Sequence, residues 1–67
     1  MNYKLSMYDW KNVIIEDEDS KKWLGYATYN DAEDNASGVE SLTVEMDDGY
    51  CVEFEAKHIK TIQIVNL

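Results

Sequence analysis

The chain contains no arginine and no proline, and it has one cysteine, Cys51, and one histidine, His58. The chain has six lysines and fourteen acidic residues, which gives a formal net charge of −8. Nucleic-acid binding depends on cations that neutralise phosphates, and arginine is the preferred reader of guanine and phosphate. The composition therefore argues against nucleic acid as a partner.

The chain also lacks the long apolar runs that membranes require. No stretch approaches the roughly 20 consecutive apolar residues of a membrane span. The opening MNYKLSMYDW does not contain the uninterrupted apolar segment of a signal peptide, and a single cysteine cannot form an intramolecular disulfide. We therefore expect a soluble protein of the reducing cytoplasm with no membrane partner.

The length of 67 residues predicts one domain, residues 1–67. So short a chain buries only about 60% of the surface that it exposes when unfolded, so its aromatic side chains matter to the core. Helical periodicity nowhere persists for the roughly 10 to 12 residues that identify a helix. The elements are therefore expected to be strands.

A period of two dominates the second half of the chain. Apolar residues fall at every second position on either side of a short turn: Leu42, Val44, Met46, Tyr50, Val52 and Phe54. The turn, residues 47–49, has the sequence DDG, and aspartate and glycine tolerate the positive φ of a tight hairpin. This stretch predicts two half-buried strands joined as a β-hairpin.

The first half predicts a second hairpin. WKNVIIE is rich in β-branched residues, WLGYATY is aromatic, and the polar run DEDSKK lies between them. Gly25 inside the second strand predicts a bulge or a bend, which small barrels need where a long strand curls around the core.

The two ends of the chain interrupt the strand pattern. AKHIK, residues 56–60, predicts a single helical turn before a last strand, TIQIV, that places Ile62 and Ile64 on one face. NYKLSMY, residues 2–8, alternates weakly and fits either a short strand or one or two helical turns.

Together these elements predict an all-β fold, a small five-stranded, strongly bent antiparallel sheet or barrel with a one-turn helix before the last strand. Three motifs resemble those of SH3 domains: MYDW at 7–10, KKWLGY at 21–26 and AKHIKTI at 56–62. The resemblance implies an SH3-like or Sm-like barrel. It implies no ligand contacts, because the chain lacks both the long loop of SH3 domains between the first two motifs and the proline of their peptide groove.

The chain is also similar to small, mostly uncharacterised bacterial barrel proteins. In these proteins Asp-Asn and Glu-Ser-Leu/Ile bracket the joint between strands, as residues 34–35 and 40–42 do here, and Ile-Lys-x-Ile occurs near the end, as at 59–62. This resemblance implies the fold and the size, and no chemistry.

The loop NDAEDNASGVES, residues 30–41, invites comparison with a calcium loop. An EF-hand needs oxygen ligands at positions 1, 3 and 5, glycine at 6 and glutamate at 12. A register that starts at Asp31 puts alanine at position 6 and leucine at 12, and one that starts at Glu33 puts Val44 at 12. We expect a mobile surface joint between strands and no metal or other cofactor.

Two further features could suggest chemistry. EDED, residues 16–19, is a run of carboxylates, but consecutive side chains diverge in a strand or turn, so a solvated hairpin tip is expected. Cys51 and His58 could pair as nucleophile and base, but such a pair needs a third group that orients the base. We expect no catalytic site, and therefore no enzyme.

Four aromatic residues are the candidate protein-binding residues: Trp10, Trp23, Tyr26 and Tyr29. Tyrosine and tryptophan are enriched at protein interfaces. Because side chains alternate along a strand, Trp23 and Tyr29 share one face and Tyr26 points to the other. Either some aromatic surface stays exposed for a partner, or barrel curvature and the N-terminal segment cover both faces.

The leading hypothesis is a non-enzymatic, acidic protein-interaction module. Its partner is an unidentified protein or a second copy in a homodimer, bound through an edge strand or the aromatic residues. The alternative is an Sm-like RNA-binding or ring-forming protein, which the topology allows and the missing arginines count against. A third hypothesis, an acidic mimic that occupies a basic surface, has only the net charge in its favour.

Overall fold

Five antiparallel strands form one sheet in the computed structural model, which describes residues 4–66. The strands are β1 (Lys11–Asp17), β2 (Lys22–Asn30), β3 (Ser41–Glu45), β4 (Cys51–Glu55) and β5 (Ile59–Ile64). Their order across the sheet is β4-β3-β2-β1-β5, so β4 and β5 are the two edges and the sheet does not close. The prediction of an all-β, five-stranded antiparallel fold is confirmed.

The hairpin between β3 and β4 forms where alternation and turn chemistry agree. The backbone N–H of Met46 donates to the Tyr50 carbonyl at 2.9 Å, and that of Gly49 donates to the Met46 carbonyl at 2.8 Å. Gly49 has φ +84°, which the missing Cβ of glycine allows. Tyr50 precedes β4 and is 64% exposed, so the sequence-based placement of this side chain on the buried face is wrong.

Asp17 organises the hairpin between β1 and β2. Its Oδ1 accepts the backbone N–H of Asp19 at 2.9 Å and that of Lys21 at 3.0 Å. Ser20, with φ +63°, completes the turn. Only the second half of this acidic run, Glu18 and Asp19, forms the exposed tip that the sequence predicts, because Glu16 and Asp17 belong to β1 and are half-buried.

Gly25 is required by a close approach of backbone, and it is not a bulge. The register between β1 and β2 runs unbroken past Gly25, and the irregularity of the sheet lies between Glu16 and Asp17, where β1 pairs with β5. A Cβ on Gly25 would lie 2.4 Å from the carbonyl oxygen of Glu45 and 2.7 Å from Cγ1 of Val44. A side chain is therefore excluded where the end of β3 crosses β2.

Single 3-10 turns precede the first and last strands. Ala56–His58 confirms the helical turn predicted before β5. For the N-terminal segment, residues 2–8, the sequence allowed a short strand or helical turns, and the structure has a 3-10 turn, Leu5–Tyr8. Leu5 in this turn is fully buried. Residues 2 and 3 of the segment lie outside the described residues. Within residues 4–66 no helix is long and apolar enough to cross a membrane.

The core lies on one face of the sheet and is closed by the N-terminal turn. Its buried apolar residues are Leu5, Val13, Ile15, Ala27, Leu42, Val44, Phe54 and Ile59. Trp23, Tyr29, Val52 and Ile62 pack against this cluster from its periphery. The opposite face of β2 carries Leu24 and Tyr26.

Candidate functional site

One concave surface, here called the outer groove, lies between β2 and the turn that joins β3 to β4. It has a volume of about 500 Å³, and its lining includes Asn12, Leu24, Tyr26, Glu45, Met46 and Asp47. The alternation of β2 turns Leu24 and Tyr26 away from the core, where they remain 47% and 42% exposed. These two side chains give the groove an apolar wall.

The polar side of the outer groove is acidic. Glu45 pairs directly with Tyr26 across β2 and β3, and Asp47 follows in the turn. Asn12 pairs with Tyr26 from the other neighbouring strand, so the ring lies between an amide and a carboxylate. The arrangement suits a ligand that carries both apolar surface and positive charge, because carboxylates at a partly apolar surface attract cations.

A second concave surface, here called the tryptophan cleft, lies on the core side of β2. It has a volume of about 260 Å³; apolar Trp23, Val52 and Phe54 line it together with acidic Asp17, Asp19 and Glu53. Trp23 meets Phe54 edge to face, with ring centroids 5.8 Å apart and an interplanar angle of 66°. This geometry is favourable for aromatic pairs, and it fixes the tryptophan at the rim of the core.

Two charged neighbours hold the Trp23 side chain. Its indole Nε1–H donates to Oδ2 of Asp17 at 3.0 Å. The ammonium of Lys21 lies over the ring, 4.4 Å from its centroid, which is a cation–π contact. The tryptophan therefore already holds one cation in the folded chain.

The Asp17 carboxylate is the electrostatic centre of this cleft. The hydrogen bond from Trp23 lowers the pKa of Asp17 below its usual value, with further lowering by the backbone N–H groups and the charge of Lys21, against partial desolvation, which raises it. Each of these donors prefers the charged carboxylate. The cleft therefore keeps a negative charge at its rim down to acidic pH.

The 30–41 loop is organised by its own polar side chains. The hydroxyl of Tyr29 donates to Oε2 of Glu40 at 2.6 Å and so ties the two ends of the loop together. This bond, with some desolvation, raises the pKa of Tyr29 to about 12, because ionisation would place two negative charges in contact. Asn35 donates to the carbonyl of Val39 at 2.7 Å inside the loop.

A buried serine anchors the base of the same loop. Ser41 is 1% exposed, and its hydroxyl donates to Oε2 of Glu53 at 2.6 Å while accepting from Asn30 and Asn35. The segment also contains a 3-10 turn, Ala32–Asp34, capped by Asp31. These hydrogen bonds and the turn define the path of the loop between β2 and β3, and its mobility stays a prediction. In residues 4–66 no group of three or more His, Cys, Asp or Glu side chains is placed to hold a metal ion.

Cys51 and His58 occupy different surroundings. Cys51 is exposed at the start of edge strand β4, where its Sγ lies 3.8 Å from the carbonyl oxygen of Gly49. His58 ends the 3-10 turn before β5 and lines the tryptophan cleft. Among the described residues no hydrogen bond joins the two side chains.

The four aromatic candidates do not form one patch. Tyr26 lines the outer groove, and Trp23 lines the tryptophan cleft on the other face of β2. Tyr29 is half-buried and bonded to Glu40. Trp10 is 72% exposed at a positive φ of 61°, its backbone N–H donates to the Ala27 carbonyl at 2.8 Å, and it is not among the described residues that line either surface.

Several residues of the two surfaces were missed by sequence reasoning. The apolar wall residue Leu24 carries no chemical signature, and Glu45 and Asp47 reach it only through the pairing of β2 with β3. Asp17 was recognisable from the sequence, because an aspartate followed by two polar residues and a serine is typical of a turn in which the carboxylate accepts backbone N–H groups.

Comparison with protein-family models, curated proteins and solved structures finds no match for this chain.

Proposed function

We propose that this chain is a non-enzymatic, acidic protein-interaction module that binds its partner at the outer groove. The observation that carries the proposal is the pair of large side chains, Leu24 and Tyr26, left exposed on the central strand β2 inside a concave surface. Exposed apolar area of this kind marks interaction sites when a polar rim surrounds it.

The rigidity of β2 supports this assignment. β2 pairs with β1 through residues 22–27 and with β3 through residues 26–30, so Tyr26 is paired on both sides, and Gly25 lies against the end of β3. A binding site on such a strand needs little ordering when the partner arrives, so little conformational entropy is lost. Tyr26 adds the amphipathic contact that interfaces favour.

A relationship to the SH3-like barrels is part of the proposal. It is supported by the five-stranded antiparallel order and by the 3-10 turn Ala56–His58 before the last strand. The peptide groove of SH3 domains is not included, since the chain contains no proline at the corresponding turn.

A photo-crosslinking amino acid at position 26 tests the proposal in cells that express the full chain. We expect a discrete crosslinked adduct from position 26 and none from position 57, because Lys57 is exposed and lies outside both surfaces. Mass spectrometry then identifies the adduct as a second copy or another protein.

The substitution Leu24→Ser provides the matching control. It changes only the apolar wall of the outer groove, so it should abolish the adduct formed from position 26 while the chain stays folded. Equal crosslinking from positions 26 and 57, or an adduct that persists in Leu24→Ser, would overturn the assignment of the partner to this groove.

Ring formation is a second candidate, favoured by the open edges of the sheet. Among the described strands β4 and β5 lie at the two edges of the sheet, and unlike edges of successive copies can pair head to tail into a closed ring. Sedimentation equilibrium over a range of concentrations decides this candidate. A mass of six or more subunits would support a ring, whereas a monomer or dimer would exclude it and leave the interaction module.

A further inference from the structure

The tryptophan cleft combines an apolar floor with an acidic rim. Trp23, Val52 and Phe54 form the floor, and Asp17, Glu18 and Asp19 stand around it. A lysine side chain has the complementary form, since its aliphatic stem packs on apolar surface while its ammonium stays near charge and water. The volume of about 260 Å³ is that of a pocket for one side chain.

The folded chain itself indicates which ligand chemistry this place accepts. Lys21 holds its ammonium 4.4 Å from the centre of the Trp23 ring, although the exposed side chain could extend into solvent. Lys21 is not among the residues that line the cleft, so it contacts the ring and leaves the cleft open. The ring quadrupole attracts cations from either face.

Charge complementarity selects the same occupant. Asp17, Glu18 and Asp19 give the cleft its acidic side, whereas the carboxylate of Glu53 already accepts the hydroxyl of Ser41 at 2.6 Å; His58 is the one other titratable group in the described lining. The indole N–H of Trp23 is already bonded to Asp17, so it is not free to bind an anion. We propose that the tryptophan cleft binds a lysine side chain of a partner protein, with the stem against Trp23, Val52 and Phe54 and the ammonium beside Glu18 and Asp19.

This proposal does not rest on the outer groove, because the two surfaces lie on opposite faces of β2. A partner that reached both would have to pass around the sheet. Failure of one assignment therefore leaves the other intact, and the probes used to test them are different.

Nuclear magnetic resonance of the two indole N–H groups tests the proposal directly. The full chain is titrated with Nα-acetyl-lysine methylamide, and with the norleucine analogue, which has the same stem length and no charge. We expect a saturating shift of the Trp23 indole signal with the lysine compound and no comparable shift with norleucine. The exposed Trp10 lines neither surface and serves as the internal reference.

Paired charge variants assign the effect to the cleft. Glu18→Gln/Asp19→Asn removes two carboxylates from its rim, and Glu33→Gln/Asp34→Asn removes two exposed carboxylates from the 30–41 loop. Because exposed ion pairs contribute little each, we expect the first variant to weaken lysine binding by about threefold. The second should leave it unchanged.

Three results would overturn the proposal. The first is a Trp23 signal that does not move with the lysine compound. The second is an equal shift with norleucine, which would indicate an apolar pocket without preference for cations. The third is equal weakening in the two charge variants, which would indicate attraction by the net charge of the chain. The Trp23 indole signal also reports in each sample that the cleft is folded.

Discussion

The outer groove and the tryptophan cleft lie on opposite faces of β2 and differ in how much the fold depends on them. Leu24 and Tyr26 stand away from the core, and the hydroxyl of Tyr26 makes no hydrogen bond within residues 4–66. Trp23 packs on the core, meets Phe54 and donates to Asp17. Loss of binding after substitution is therefore informative in the groove and ambiguous in the cleft.

The largest effect is expected at Gly25, on which both surfaces depend. The change Gly25→Val places a side chain against the backbone of Glu45, 2.4 Å from its carbonyl oxygen, so the strands must separate. We expect a loss of about 3 kcal/mol in the free energy of unfolding, measured by urea denaturation, with both surfaces disrupted.

Gly38→Ala is the matched control for Gly25. No atom lies within 4 Å of the position where its Cβ would stand, so only the positive φ of 73° is penalised. A cost of about 1 kcal/mol is expected. Comparable losses for the two variants would contradict the role of close approach at Gly25.

The next comparison is between Trp23 and Tyr26, which lie on opposite faces of β2. Trp23→Ala removes packing from the edge of the core and should cost about 2 kcal/mol, because the ring is only half-buried. Tyr26→Ala should cost less than about 0.5 kcal/mol, as is usual at an exposed site. Thermal and urea unfolding measure both; a larger loss for Tyr26 than for Trp23 would reverse the comparison.

A smaller effect is expected when acid removes the charge of Asp17. Because folding lowers the pKa of Asp17, its stabilising contribution is fully present above about pH 4, the unfolded value, and is lost as the pH falls through the lower folded value. The stability difference between the native chain and Asp17→Asn should be constant near neutral pH and shrink in strong acid. If this stability difference grew in acid, it would contradict a pKa of Asp17 that is lowered by folding.

The smallest effect concerns Tyr29, which belongs to neither surface. Its pKa of about 12 lies above the ordinary value of 10, so its contribution to stability is present below pH 10 and is lost as the pH approaches 12. The change Glu40→Gln removes the negative charge of the acceptor and should lower the pKa of Tyr29. A pH titration of the carbon-13 NMR signal of the Tyr29 ring measures this pKa. An unchanged pKa would mean that the bond to Glu40 is not its cause.

Local patterns predicted the parts of this fold that local chemistry determines. The alternation of β3 and β4 and the glycine at position 49 sufficed for their hairpin, and the AKH segment sufficed for the turn before β5. The reason for Gly25 was not predictable, because the atoms that it must avoid belong to residues 44 and 45, about twenty positions away.

The candidate surfaces were less accessible to sequence reasoning for the same reason. Trp23 and Tyr26 were identified as aromatic residues on opposite faces, and the structure places them there. The acidic neighbour of Tyr26 was not identified, since Glu45 reaches it only after β2 and β3 have paired. Tyr29 was a candidate by residue type alone, and its bond to Glu40 depends on how the loop folds back.

The pairing of β1 with β5 has a consequence for how the chain reaches its native state. Val13 lies beside Ile64, fifty-one positions later in the sequence, whereas β1 to β4 follow one another through neighbouring hairpins. Such distant pairing requires closure of a long loop before any stabilising contact forms, which slows folding. During synthesis, β1 therefore stays without its β5 neighbour until residues 59–64 have been made, after the other four strands are complete.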